Sequence, residues 1–275
     1  MGKNASGAKN GVVICLANNK GGIGKTSVAC NLGCALARKN KRVLVVDNDP
    51  QCNASGILLP KRVLVHSTLY EIYSPNGGAR RVEACVYPTD YPRLSCLPNV
   101  EETSGLHLDL ASDYPDTLRV LERRIRNYAK KTFDVTLIDC PPTVCLFTAN
   151  ALFASDYVVV PVDAGSAHSL DGLKKVMDLI AGVQEAGNSG LKLLRLLVNR
   201  VDARTSISKT IIAEVEKRFG EEGVFFTRIP DSTVFERAEY AKETVFSSSP
   251  SSKAAKVYEA LADELLEILK GEASP

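Results

Sequence analysis

The chain has no tryptophan, two methionines and three histidines in 275 residues. The missing tryptophan decides nothing about the fold. His66, His107 and His168 lack the spacing of metal ligands and read as surface or packing residues. No stretch approaches the roughly twenty apolar residues that cross a bilayer. No apolar core follows a charged start, so no signal peptide is expected. Charge of one sign is missing too. Thirty-four Lys and Arg stand against 32 Asp and Glu, a net of +2, so no global basic field announces nucleic acid. Cysteine is not scarce, but none of the eight forms a C-x-x-C pair. Most lie in apolar stretches, and Cys30 and Cys34 share a helix face. That scatter fits packed thiols in a reducing cytosol rather than a disulfide framework.

What is present begins with Lys20-Gly21-Gly22-Ile23-Gly24-Lys25-Thr26-Ser27. The run follows an apolar strand-like stretch, Val12 to Ala17, and opens a helix-like stretch from Lys25 to Arg38. A glycine-rich turn between strand and helix lets backbone N–H groups converge on a phosphate. In such a loop Lys25 reaches the β- and γ-phosphates and the Thr26 hydroxyl coordinates Mg²⁺. A second lysine, Lys20, follows Asn19, which stands where the usual pattern has a glycine.

Two further strands end in acid. Arg42 to Val46 is β-branched and apolar, and Asp47 and Asp49 follow it. In an extended segment residues two apart face the same way, so both carboxylates are expected at one place. One would serve the metal and the other the attacking water. Val135-Thr136-Leu137-Ile138-Asp139-Cys140-Pro141-Pro142 repeats the pattern, with Asp139 as the carboxylate for Mg²⁺.

At these residues the chain resembles the ParA/Soj group of deviant-Walker ATPases, within the class that includes MinD and the nitrogenase iron protein. Thr148 to Leu152, Val201 to Thr205 and Ser252 to Tyr258 carry the likeness onward, from about Val12 to Leu269. The resemblance implies ATP and Mg²⁺ as cofactors, with Gly21 to Ser27 binding the nucleotide. It implies that Lys20 reaches across a homodimer to the partner's ATP, that Lys25 and Thr26 act in cis, and that Asp49 positions water with Asp47 as its companion near the metal. It implies Asn199 and Pro230 at the purine. It places Arg204 on an arginine used for non-specific DNA binding. It also implies a ParB-like or cargo-adaptor protein that stimulates hydrolysis, and a bacterial, cytoplasmic, nucleoid-associated ATPase that positions a chromosome, a plasmid or a protein assembly.

Two stretches depart from that pattern. Val234 stands where chromosomal members carry a second DNA-contacting arginine, and Arg237 lies three residues on as a substitute; Lys253 is a further candidate. Asp163-Ala164-Gly165-Ser166-Ala167-His168 replaces a stretch that is acidic and aromatic in relatives, and the sequence offers no account of it.

Strand-like stretches at Leu94 to Leu97, Val135 to Asp139, Tyr157 to Pro161 and Leu191 to Val198 alternate with helix-like ones. The helices are expected at Asp116 to Lys131, Leu170 to Glu185, Ser208 to Arg218 and Ser251 to Leu269. The expected fold is α/β, a doubly wound, mostly parallel sheet with helices on both faces. Residues 1–10 are expected to be a disordered tail and 11–270 one ATPase domain. The stretch before Lys20 is too short for a helix-turn-helix domain. A MinD-like membrane role is the alternative. It needs a basic amphipathic tail, whereas Lys253 to Lys270 carries Glu259, Asp263, Glu264 and Glu267. Its apolar Val257, Leu261, Leu265 and Ile268 suit core packing, so no membrane partner is expected.

Overall fold

The computed structural model describes residues 10–74, 81–106, 110, 116–166 and 170–272. The tail before Asn10, His107 and His168 lie outside the described residues.

Seven strands form one sheet: β1 Val12–Leu16, β2 Val43–Asp47, β3 Tyr87–Pro88, β4 Leu94–Leu97, β5 Val135–Asp139, β6 Tyr157–Asp163 and β7 Lys192–Asn199. Their order is β3-β4-β2-β5-β1-β6-β7. Neighbours run parallel, except the short edge strand β3, which is antiparallel to β4. The helices are α1 Lys25–Arg38, α2 Asn53–Leu58, α3 Leu69–Tyr73, α4 Asn127–Thr132, α5 Leu146–Ala154, α6 Asp171–Glu185, α7 Ser206–Phe219, α8 Thr233–Tyr240, α9 Val245–Ser248 and α10 Lys253–Glu272.

Alternation along the strands sorts the core into two layers. Val13, Cys15, Leu44, Val46 and Ile138 join Ala151 of α5, Val176 of α6 and Ile211 of α7 on one face. Ile14, Leu16, Val43, Val45 and Leu137 join α1 and α10 on the other. The strands are buried on both sides, which is why they read as continuous apolar runs. Helix α1 sits close against the sheet at Gly33, where a Cβ would come within 2.9 Å of Val45 Cγ2. Helix α10 covers α1 with Tyr258, Leu261, Ala262 and Leu265, all buried. Its apolar face is therefore consumed by the core, as its spacing predicts.

The helix expected over Asp116 to Lys131 is broken. A 3₁₀ turn spans Asp116–Arg119, and a π-turn at Glu122–Arg126 leads into α4. The cause is Asn150, which is fully buried on α5. Its Oδ1 accepts from Leu121 N (3.2 Å) and its Nδ2 donates to Thr117 O (2.7 Å). A side chain inserted into the helical ladder produces such a bulge.

Candidate nucleotide site

Parallel strands present all their C-terminal ends at one edge, where α/β sheets place ligands. Here β2, β5, β1, β6 and β7 are consecutive in the sheet. Asp47 pairs in register with Asp139, Asp139 with Leu16, and Asp163 with Asn199. The polar residues of three distant motifs thus meet along one rim.

The glycine-rich loop leaves β1 and turns into α1 at Gly24, whose φ is 84°. The N-terminus of α1 carries free N–H groups and positive dipole charge, which suit an anion. A cavity of about 390 Å³ opens above it. Gly21 to Ser27 line it with Asp49, Gln51, Asn53 and Pro142 on one side and Phe235, Glu239 and Lys242 of the α8 region on another. A second cavity of about 160 Å³ shares Gly22, Gly24 and Ser27 and is lined by Asn199, Arg200, Pro230, Ser232 and Tyr258. The two together have room for a triphosphate and a base. The loop residues, Asn199 and Pro230 line these two neighbouring cavities.

Lys25 is buried and its Nζ donates to Lys20 O (3.0 Å). Burial lowers its pKa, and the charge of Asp139 raises it in part. Asp139 is fully buried, and neither carboxylate oxygen has a well-formed hydrogen bond among the described residues. Burial holds its pKa well above the usual carboxylate range and the charge of Asp47 adds to this, while the nearby Thr26 hydroxyl works against it. Orphaned buried oxygens are costly unless a cation completes them. Asp139 with the Thr26 hydroxyl fits Mg²⁺, which takes few protein oxygens and fills its shell with water and phosphate. Among the described residues no cluster of three His, Cys, Asp or Glu could hold a metal by itself.

The two carboxylates expected side by side are separated. Strand β2 ends at Asp47, so the alternation that would align Asp47 with Asp49 does not continue. Asp49 faces the large cavity, with Oδ1 accepting from Gln51 N (3.0 Å). Asp47 faces α2 instead. Its Oδ2 accepts from Ser55 N (2.7 Å) and Ser55 Oγ (2.6 Å), and its Oδ1 from Asp49 N (3.4 Å). It does not line the cavity, and service to a metal would require Ser55 to let go.

Burial pushes the Asp47 carboxyl up to about 6, although Ser55 holds it back. The unfolded value is near 4. The folded chain therefore binds the proton more tightly between those values, and stability falls as pH rises through that window. Asp47→Asn is expected to remove this slope, worth about 3 kcal/mol at about 1.4 kcal/mol per unit. Urea unfolding from pH 4 to 7 measures it, and an unchanged slope would show that Asp47 ionises as freely folded as unfolded.

Lys20 is turned away from its own cradle. Its Nζ donates to Ser166 Oγ (2.7 Å) and lies 3.8 Å from Asp163 Oδ2. Asp163 is itself fixed by Gly165 N on Oδ1 (2.8 Å). The stretch after Val162 thus serves as a seat for Lys20. Asp163 ends β6 beside β1, on the same rim; Ser166 and Ser55 carry no signal in the sequence.

The DNA candidates lie on separate elements, and all are exposed: Arg204 just before α7, Arg237 on α8 and Lys253 at the start of α10. Arg204 is held by Asp202 through Nε to Oδ1 and NH2 to Oδ2, both 2.9 Å. That guanidinium holds the Asp202 carboxyl down to about 2.

All eight cysteines are free. Burial pushes Cys34 up to about 12 and Cys30 and Cys96 well above the ordinary thiol value. These three are packing residues with little thiolate character.

Residues 11–193 match the AAA_31 family, an AAA domain. The chain is 33% identical over 255 residues to the sporulation initiation inhibitor protein Soj of Bacillus subtilis, covering 93% of this chain and 98% of that protein. It is 36% identical over 253 residues to the chromosome-partitioning ATPase Soj of Thermus thermophilus, covering 92% and 94%. Its fold matches the crystal structure of cobyrinic acid a,c-diamide synthase from Mycobacterium smegmatis with bound ATP analog and magnesium. That match has a TM-score of 0.79 at 29% identity, over 95% of this chain and 97% of that one. The glycine-rich loop lies at an α/β rim, and the relatives match over almost their whole length: the chain belongs to the ParA/Soj family of P-loop ATPases, with ATP and Mg²⁺ as its cofactors.

Proposed function

We propose that this ATPase is a partition switch. ATP drives two copies together, the dimer holds DNA without regard to sequence, and a partner of the ParB or cargo-adaptor kind triggers hydrolysis and release. The chromosome-partitioning relatives support the partition role. The observation that carries the dimer is the seat of Lys20. A cation inside the phosphate loop faces Ser166 and Asp163 rather than the cavity its own loop lines.

The chemistry follows from where charge develops. The transferred phosphoryl spreads negative charge over its oxygens and needs cations around it. Lys25 supplies one in cis and Lys20 of the second copy supplies one in trans. Thr26 and Asp139 would hold the Mg²⁺, which would supply charge neutralisation at the phosphates. Asp49, on the cavity wall, orients the attacking water. Hydrolysis is slow until the partner protein reorders these groups. Such a protein works in the cytoplasm, on the nucleoid.

DNA binding is attributed to Arg204, Arg237 and Lys253, acting on phosphates and therefore sensitive to salt. The Arg204–Asp202 pair is exposed, and exposed pairs are cheap to break. Arg204→Glu is expected to lower ATP-dependent co-sedimentation with DNA several-fold and to leave nucleotide affinity unchanged. Equal retention would move the surface elsewhere. Liposomes run alongside decide the alternative, since membrane binding with no DNA binding would replace this reading by a MinD-like one. The fold speaks against that outcome, because the apolar face of α10 is packed on α1.

A further inference from the structure

We infer that Arg200, together with Asn199, is a positioning residue that holds the phosphate loop in its anion-binding shape. Asn199 is the last residue of β7 and Arg200 follows it. The Arg200 guanidinium donates to Gly22 O (3.0 Å) and Asn199 Nδ2 donates to Ile23 O (2.7 Å). Two consecutive residues at the end of one strand thus capture two consecutive carbonyls of the loop. A trans peptide is planar, so its carbonyl and the following N–H point in opposite directions. Drawing both carbonyls toward β7 turns the N–H groups of Ile23 and Gly24 the other way, toward the phosphates. The loop is ordered before the nucleotide arrives, and the ordering cost is removed from binding.

Three further observations fit. Arg200 has φ 56°, a left-handed backbone that favours glycine, so a side chain is kept there against a conformational preference. Asn199 Oδ1 accepts from Arg200 N (2.9 Å), which locks the two residues to each other. A Cβ on Gly24 would sit 2.5 Å from Asn199 Nδ2, so the loop is moulded around this amide. A purine contact by Asn199 has the second amide hydrogen and the remaining Oδ1 lone pair to use, because the first hydrogen is committed to the loop.

The inference rests on the chain being an ATPase and is independent of the partition reading. The test compares Arg200→Gly and Arg200→Lys with the parent chain. Calorimetry measures MgATP, MgADP and magnesium tripolyphosphate, the last having no base. Glycine suits the left-handed backbone, so Arg200→Gly is expected to keep or raise the melting temperature. It should still weaken all three ligands by a similar factor, about tenfold for one charge-assisted hydrogen bond. Arg200→Lys can still donate to Gly22 O and should recover most of that loss. If the glycine variant melts lower, the lysine variant carries the comparison, and loss of affinity there at parental stability overturns the idea of a single carbonyl bond. Weaker ATP with unchanged tripolyphosphate would make Arg200 a base contact instead. Unchanged affinity for all three would reduce the bond to an incidental one.

Discussion

Replacing Asp49 with alanine is expected to lower steady-state ATP turnover on the order of a hundredfold or more, the usual loss when a group that handles the nucleophile's proton is removed. Binding should survive. Asp49 touches the cavity from the β2 side, whereas the phosphate contacts come from the loop and α1. The variant should therefore accumulate as an ATP-bound dimer that fails to cycle. Nucleotide affinity and turnover measured on one preparation separate these effects. Undiminished turnover would remove Asp49 from the chemistry and point to another residue on the cavity wall.

Lys20→Ala is expected to be as severe by a different route. The variant should bind MgATP with near-parental affinity, because Lys25, Thr26 and Asp139 are untouched. It should stay monomeric on a sizing column with MgATP, and its turnover should fall about a thousandfold or more, the range found when a trans cation is lost. The two variants thus part company: one is stuck assembled and the other never assembles. A normal ATP-dependent dimer from Lys20→Ala would leave the Ser166–Asp163 seat as a purely local tether.

Much of this was legible in the chain before any coordinates. Parallel strands buried on both faces are apolar along their whole length, and their ends are marked by the first acid or glycine. Leu94–Leu97 and Val135–Asp139 have the bounds their sequence implies. The positions of Lys25, Thr26 and Asp139 were legible for the same reason, since the first two open α1 and the third closes β5. What failed had nonlocal causes. Asn150 breaks a helical pattern some thirty residues upstream through hydrogen bonds that no periodicity encodes. Asp47 and Asp49 part because β2 stops one residue too early for its alternation to carry across. Helix α8 supplies Phe235 and Glu239 to the nucleotide cavity, yet its short mixed pattern resembles a loop. Arg200 was invisible, because an exposed arginine after a strand looks like any solvated charge until the carbonyl opposite it is known.

The packing of α10 over α1 has a consequence during synthesis. The ribosome delivers the phosphate loop and α1 long before α10, the helix that shelters them. Until then Ile14, Leu16, Val28 and Leu32 have only part of their cover, the kind of transient exposure that invites aggregation in slow, high-separation folds. Any force that pulls on α10 acts, at a distance in sequence and none in space, on the helix that follows the phosphate loop.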